Sequence, residues 1–196
     1  IPQFQPNGWD DLIPRFTSFI ASPHCFPIKL VVQDQVVGIG CSLRHLDTAW
    51  LACIVILEEH RGKGYGLAMT KELIRQLDNR VYKTVYLDAT TEGYPMYTKL
   101  GFVVEDDYIH LQRTLQTEEI IHFDSTFIRP FEPKDFHPIF HLDFKATGEY
   151  RKGIFSEWLK EAYVFEENGT IEGFYLPHIG NRPIIARSRP VGRELL

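Results

Sequence analysis

The hexapeptide Arg61-Gly62-Lys63-Gly64-Tyr65-Gly66 is the stretch of this sequence best suited to hold a ligand. It follows an apolar run, residues 50–57, and opens a segment whose apolar residues recur at helical spacing. Glycines at alternate positions let a backbone come close to a ligand. The first N–H groups of a helix have no intrahelical partner and lie at the positive end of its dipole. Together they form a seat for a pyrophosphate, to which Arg61 and Lys63 add formal charge. A dinucleotide-binding GxGxxG motif would need its third glycine at Leu67, and a Walker loop needs a Lys-Ser/Thr pair where Leu67-Ala68 stand. A tight turn with helix-cap glycines and no ligand is the plain alternative.

The elements that must position this turn can be read on both sides of it. Residues 1–6 are short and apolar, as in an edge strand. Trp9, Leu12, Phe16, Phe19 and Ile20 fall at helical spacing, with Pro14 expected to bend or shorten that helix. Residues 28–43 read as a hairpin around Gln33-Asp34-Gln35. The run 50–57 is apolar throughout, as in a central strand covered on both faces. From Gly66 to Leu77 a helix is expected with Leu67, Leu73, Ile74 and Leu77 on one face and Lys71, Glu72 and Arg75 turned outward. Residues 83–89 form another strand, 94–100 a short helix closed by Gly101, and 102–105 and 109–113 look like final strands. The order β-α-β-β-β-α-β-α-β makes residues 1–115 a mixed α/β domain.

A polar linker is expected at 116–126 and a second, smaller unit at 127–196. That unit opens with a strand at 127–131 and continues with a largely helical stretch to residue 162. Its aromatic residues Phe136, Phe140 and Phe144 suit a core or an interdomain contact. A hairpin follows around Asn168-Gly169, then a strand at 183–187. This repeats the opening order of the first unit. Arg189-Pro190-Val191-Gly192 faintly echoes the first glycine turn, but Glu194 stands where Gly66 would be. The unit reads as a degenerate or truncated half-repeat; two unrelated α/β segments are the alternative.

A second group of residues narrows the ligand. Leu87-Asp88-Ala89-Thr90, Gly93 and Tyr97-Thr98-Lys99-Leu100-Gly101-Phe102 follow the glycine turn at a distance of one helix and one strand. With R-x-x-G-x-G on a strand–turn–helix, this resembles the GCN5-related N-acetyltransferase (GNAT) superfamily, in a subgroup whose first unit is followed by a partial second one. Thr90 stands where many members carry asparagine. The resemblance covers residues 1–115 well and 127–196 loosely. It implies a mixed central sheet flanked by helices, acetyl-CoA as cosubstrate, and direct attack of an acceptor amine on the thioester in a ternary complex. It further implies that Arg61, Gly62, Lys63, Gly64, Tyr65 and Gly66 hold the pyrophosphate and that the backbone of Ile54 and Ile56 pairs with the pantetheine arm. The amide of Ile56, where the strand bulges, would polarise the carbonyl. Tyr97 would protonate the departing thiolate, with Tyr94 one turn earlier as the reserve acid. The acceptor is an exposed amino group or a small amine, and a homodimer is within the family's habits.

The general base is not singled out. Glu58 and Glu59 end the central strand and could relay a proton through water; a solvated pair beside Arg61 is the alternative. His45 and Asp47 are further candidates. No metal site is expected: the eight histidines are scattered, only His137 and His141 are four apart, and HExxH is absent. Three cysteines without CxxC spacing fit a reducing, cytoplasmic setting rather than a disulfide framework. A net charge of −5 gives no basic footprint for nucleic acid. No apolar run is long enough to span a membrane and no signal peptide is read, although the chain opens on Ile1 rather than Met. A non-catalytic acetyl-CoA sensor and a transferase of longer acyl groups remain as alternatives on the same fold.

Overall fold

The computed structural model describes residues 1–9, 11–107, 125–179 and 182–196. A 3-10 turn, Pro2–Phe4, opens the chain where an edge strand was expected. Its proline, which lacks an amide donor, suits a turn start better than a ladder. Helix α1, Leu12–Ala21, is capped by the Asp11 carboxylate accepting from the Ile13 N–H. Pro14 falls in its first turn, where no intrahelical donor is required, so the helix is neither broken nor shortened there. Trp9 lies outside it.

Strands β1 (Cys25–Val32), β2 (Gln35–Arg44) and β3 (Thr48–Ile56) form an antiparallel meander. Gln33 and Asp34 both adopt positive φ at the first turn, as a two-residue hairpin requires. Helix α2, Tyr65–Arg75, crosses back over the sheet, and β4 (Thr84–Leu87) returns parallel to β3. The sheet order is β1-β2-β3-β4. The short helix α3, Tyr94–Lys99, follows. Residues 102–107 carry no regular structure. The strand expected at 102–105 is therefore absent, and no described strand pairs with these residues; Val103 and Val104 are exposed. The strand expected at 109–113 and most of the linker lie outside the described residues.

The second sheet has the order β5-β6-β7-β8. Its strands are β5 (Ile128–Pro130), β6 (Tyr163–Glu167), β7 (Thr170–Tyr175) and β8 (Ile184–Ala186). Between β5 and β6 run α4 (Phe136–Thr147) and the single turn α5 (Lys152–Phe155). The long helical stretch is interrupted at Gly148, whose φ of 72° ends α4 in a left-handed cap. Asn168 and Gly169 have φ of 50° and 74° and close the expected hairpin. Helix α6, Arg189–Glu194, starts just after β8.

The core has three parts. α1 packs on one face of the first sheet through Leu12, Phe16, Cys53, Val55 and Leu57. α2 packs on the other through Met69 and Leu73, against Leu51 and Ile56. A third cluster joins the halves: Cys25 and Cys41 of the first sheet pack with Ile139, Ile154, Val164 and Phe174 of the second.

Candidate functional site

β3 and β4 pair only over residues 48–51 and 84–87, and Leu51↔Leu87 is their last pair. Beyond it β3 continues through residues 52–56 with β2 on one side and no described strand on the other. The result is a cleft between two parallel strands, with one backbone edge of β3 unpaired among the described residues.

The upper part of β3 is irregular. Opposite Ile39 and Cys41, the register passes from Val55 to Ala52, and Cys53 has a φ of 52°, unusual outside glycine. Leu51, Ile54 and Ile56 pack toward α2, whereas Ala52, Cys53, Val55 and Leu57 pack toward α1. Two consecutive residues on one face mark a β-bulge. Here Ala52 and Cys53 share the α1 face, and Cys53 and Ile54 together stand opposite Gly40, so the bulge lies at Cys53 and Ile54, not at Ile56 as expected. The Ile56 amide nevertheless keeps the expected outlook. The Leu57 N–H donates to the Val37 carbonyl at 3.0 Å, while the Ile56 carbonyl accepts from Arg61 Nε at 3.1 Å. Ile56 therefore turns its own polar groups away from β2, toward the bare edge. Strand alternation puts Ile54 on the same edge.

The glycine turn follows directly. Gly62 and Gly64 have φ of 73° and 81°, a conformation that side chains disfavour. Gly64 is the N-cap of α2 and offers no side chain to its first-turn amides. Space around Gly62 and Gly64 is open. Gly66 is ordinary helix, but a Cβ there would meet Met96 Sδ of α3 at 3.4 Å. Arg61 is tied to Ile56, and Lys63 Nζ donates to the Glu59 carbonyl at 2.9 Å. Tyr65 is half-buried at the first position of α2.

α3 sets Met96 near Gly66 of α2 and carries Tyr97 as its next residue. Its ring meets Phe102 edge-on, with centroids 6.0 Å apart, and lies over Gly93, where a Cβ would sit 2.9 Å from Tyr97 Cε2. Burial pushes the phenol above its ordinary range, so it is a proton donor at neutral pH. Tyr94 is 48% exposed. Glu58 and Glu59 lie in an exposed 3-10 turn between β3 and the glycine loop. Asp88, just past the end of β4, is held above the usual carboxylate range by burial. His45 and Asp47 precede β3 at its opposite end, roughly 25–30 Å of strand from Ile56 at ~3.3 Å per residue, and do not join the cleft. Among the described residues no group of His, Cys, Asp or Glu is placed to hold a metal ion, and no helix is long and apolar enough to cross a membrane.

Three features escaped the sequence reading: the place of the bulge at Cys53, the approach of Met96 to Gly66, and Gly38 and Gly40 on β2. An added Cβ at Gly38 would lie 2.6 Å from Ile56 Cδ1, and one at Gly40 would lie 3.2 Å from Met69 Sδ. Alternate glycines in a β-rich run were the available signal for close helix packing. A cavity of about 490 Å³, lined by Lys134, His141, Glu166 and Arg187 among others, lies in the second sheet.

A bulged strand thus parts from its parallel neighbour just before a glycine-capped helix start whose first amides have no side-chain cap. The family model described as the acetyltransferase (GNAT) family matches residues 2–102; the chain belongs to that family. The ribosomal protein bS18-alanine N-acetyltransferase of Haemophilus influenzae is 31% identical over 77 residues, 38% of this chain and 53% of the relative. A solved Pyrococcus horikoshii structure assigned as an acetyltransferase superposes with a TM-score of 0.68 at 22% identity, covering 92% of this chain and 62% of its own. The chain thus spans about half the length of the curated relative and under two thirds of the solved one.

Proposed function

We propose that the chain binds acetyl-CoA in the cleft between β3 and β4 and transfers the acetyl group to an amine. The observation that carries this reading is the bare edge of residues 52–56 running into left-handed Gly62 and Gly64 at the start of α2. The fit can be argued group by group. The edge offers strand-like pairing to an extended amide-bearing arm, as in β-augmentation. The uncapped first turn of α2 offers amides and the dipole to a pyrophosphate, with Arg61 and Lys63 alongside. When bound, acetyl-CoA supplies an acyl group on a thiolate leaving group.

The chain's own residues then have distinct tasks. With the bulge at Cys53 and Ile54, the Ile54 amide takes over polarisation of the carbonyl, and Ile56 provides the next pairing along the arm. The neutral amine nitrogen attacks the carbonyl carbon, the C–S bond breaks, and Tyr97 gives its phenolic proton to the thiolate sulfur. The proton lost by the amine returns through water to Tyr97. Glu58, on the exposed turn above the cleft, can share in that relay.

We further take residues 1–115 as the cofactor unit and 127–196 as a degenerate copy. β6-β7-β8-α6 repeats the order β1-β2-β3-α2. Gly173 lies beneath α6, with an added Cβ 2.8 Å from Val191 and Leu195, as Gly38 and Gly40 lie beneath α2. Ser188 caps α6 with its own hydroxyl, so the copy lacks the open glycine seat, and one cofactor binds per chain.

Calorimetric titration with acetyl-CoA, with NADH and ATP as controls, tests the reading. Micromolar binding at one site, followed by thiol release on adding an amine, supports it. A folded sample that binds no acetyl-CoA refutes it.

A further inference from the structure

The second half of the chain reaches into the first with a buried carboxylate. Glu149 follows the left-handed cap of α4, and only 4% of it is exposed. Its carboxylate accepts from Thr48 Oγ1 at 2.6 Å and, through both oxygens, from Trp50 Nε1 at 2.9 and 3.1 Å. A buried carboxylate is costly unless hydrogen-bonded, and here Thr48 and Trp50 of β3 supply the donors.

Trp50 is in register with Tyr86 of β4 and stacks on it, centroids 5.2 Å apart and planes 29° from parallel. This pair stands one step before the strands part at Leu51↔Leu87. It occupies the face away from α2, since Leu51, Val85 and Leu87 pack toward α2. Both rings are half-exposed. The aromatic wall therefore lies at the foot of the cleft, about four residues or ~13 Å of strand below Ile54. An amine approaching a thioester at Ile54 from the end opposite the glycine loop passes over it. The surroundings are acidic: besides burial, Glu105, Glu149 and Asp47 raise the Tyr86 phenol.

Resting on the acetyltransferase reading above, we propose that Trp50 and Tyr86 form the acceptor wall. The acceptor they select is an alkyl amine carrying a second, cationic nitrogen, and Glu149 is the residue through which the second half positions that wall. Electron-rich ring faces attract ammonium groups, and an acidic rim adds to that attraction. The attacking nitrogen must be neutral, so a cationic wall site selects a molecule with two nitrogens: one rests charged on the rings while the other is at the thioester. Glu149 acts through Trp50, whose N–H it engages, and so holds the ring face toward the cleft.

The experiment measures acetyl transfer by thiol release for a ladder of linear α,ω-diamines of about three to eight methylenes against monoamines of equal length. Acetyl-CoA affinity is measured separately. The expected result is a diamine kcat/KM about tenfold or more above that of its matched monoamine. In Trp50→Leu and Glu149→Gln the diamine KM rises and the diamine-to-monoamine ratio of kcat/KM falls about tenfold, while acetyl-CoA affinity stays within about twofold. A role confined to folding would lower both amine arms and the melting temperature together. If either variant does not fold, Trp50→Phe, which keeps a ring and removes the N–H, must reduce the diamine preference. Equal use of diamines and monoamines, or a preference untouched by these variants, overturns the inference while leaving the transferase reading in place. Absence of acetyl-CoA binding overturns both.

Discussion

At the scale of single residues, the three glycines of the loop are not equally constrained. Gly62 and Gly64 sit at positive φ with open space around them, so their constraint is conformational. Gly66 sits in ordinary helix, where an added Cβ would meet the Met96 sulfur at 3.4 Å, an ordinary contact. Gly64→Val is expected to weaken acetyl-CoA binding at least tenfold in calorimetry, because a β-branched residue resists the left-handed conformation. Tyr97 is set apart from Tyr94 by burial: its phenol is raised, while Tyr94 is half-exposed. Tyr97→Phe is expected to lower kcat by about 10²-fold with acetyl-CoA affinity unchanged. In the parent protein, the loss of activity from Tyr97 ionisation should fall above pH ~10, the ordinary tyrosine value, and that limb should vanish in the variant. The place of the glycine turn between a strand and a helix was legible because it depends on residue type and spacing along one segment. The Met96 contact depends on two segments meeting, which no local pattern records.

Between elements, the cleft is set by how α2 and β3 are held. Gly38 and Gly40 let α2 lie close on β2, and the bulge at Cys53 turns the upper half of β3 away from the pairing with β4. Gly38→Ala would press a Cβ toward Ile56 Cδ1. The expected cost is about 1–3 kcal/mol of stability in urea unfolding, as for other overpacked sites, together with weaker acetyl-CoA binding, since Ile56 lies on the pairing edge. Gly192→Ala is the counter-case: the nearest atom to its added Cβ is Ala186 Cβ at 3.6 Å, an ordinary contact inside α6. It should gain about 0.5–1 kcal/mol. Meander, crossover helix and returning strand were legible from periodicity, and Asn168-Gly169 announced its hairpin by residue type. The bulge was expected two residues too late, because its place is fixed by the register of β2 against β3. The strand expected at 102–105 is absent although its composition is β-rich, because strand formation depends on pairing between segments, which local composition does not specify.

At the scale of the whole chain, two units joined by a linker were expected, and the described residues share one core cluster across them. Which faces of two amphipathic sheets meet is not written in either one's periodicity. The seam also explains a histidine that composition could only offer as a spare base. His45 Nδ1 is buried with no hydrogen-bond partner among the described residues. Burial first, then the charge of Arg151 and of His24, lowers its pKa from 6.5 to about 4. Arg151 is itself fixed by Asp143, through contacts of 3.2 and 2.5 Å, and the His24 ring presses on Gly153. Protonated His45 would thus face the Arg151 guanidinium, from the other half of the molecule, beside the His24 ring. The unfolded chain takes up this proton near pH 6.5 and the folded chain only near 4. Between those values the unfolded state binds more protons, and stability falls as the pH falls. Above pH 6.5 the effect is absent. Lowering the pH from 7.5 to 5 is expected to cost the parent about 1–2 kcal/mol through this one group. His45→Gln, which cannot take up the proton, should recover that portion of the loss, read as a smaller drop in the urea midpoint over the same pH interval. An identical drop in both proteins would mean that His45 is already charged in the folded seam, and that Arg151 and His24 do not oppose it.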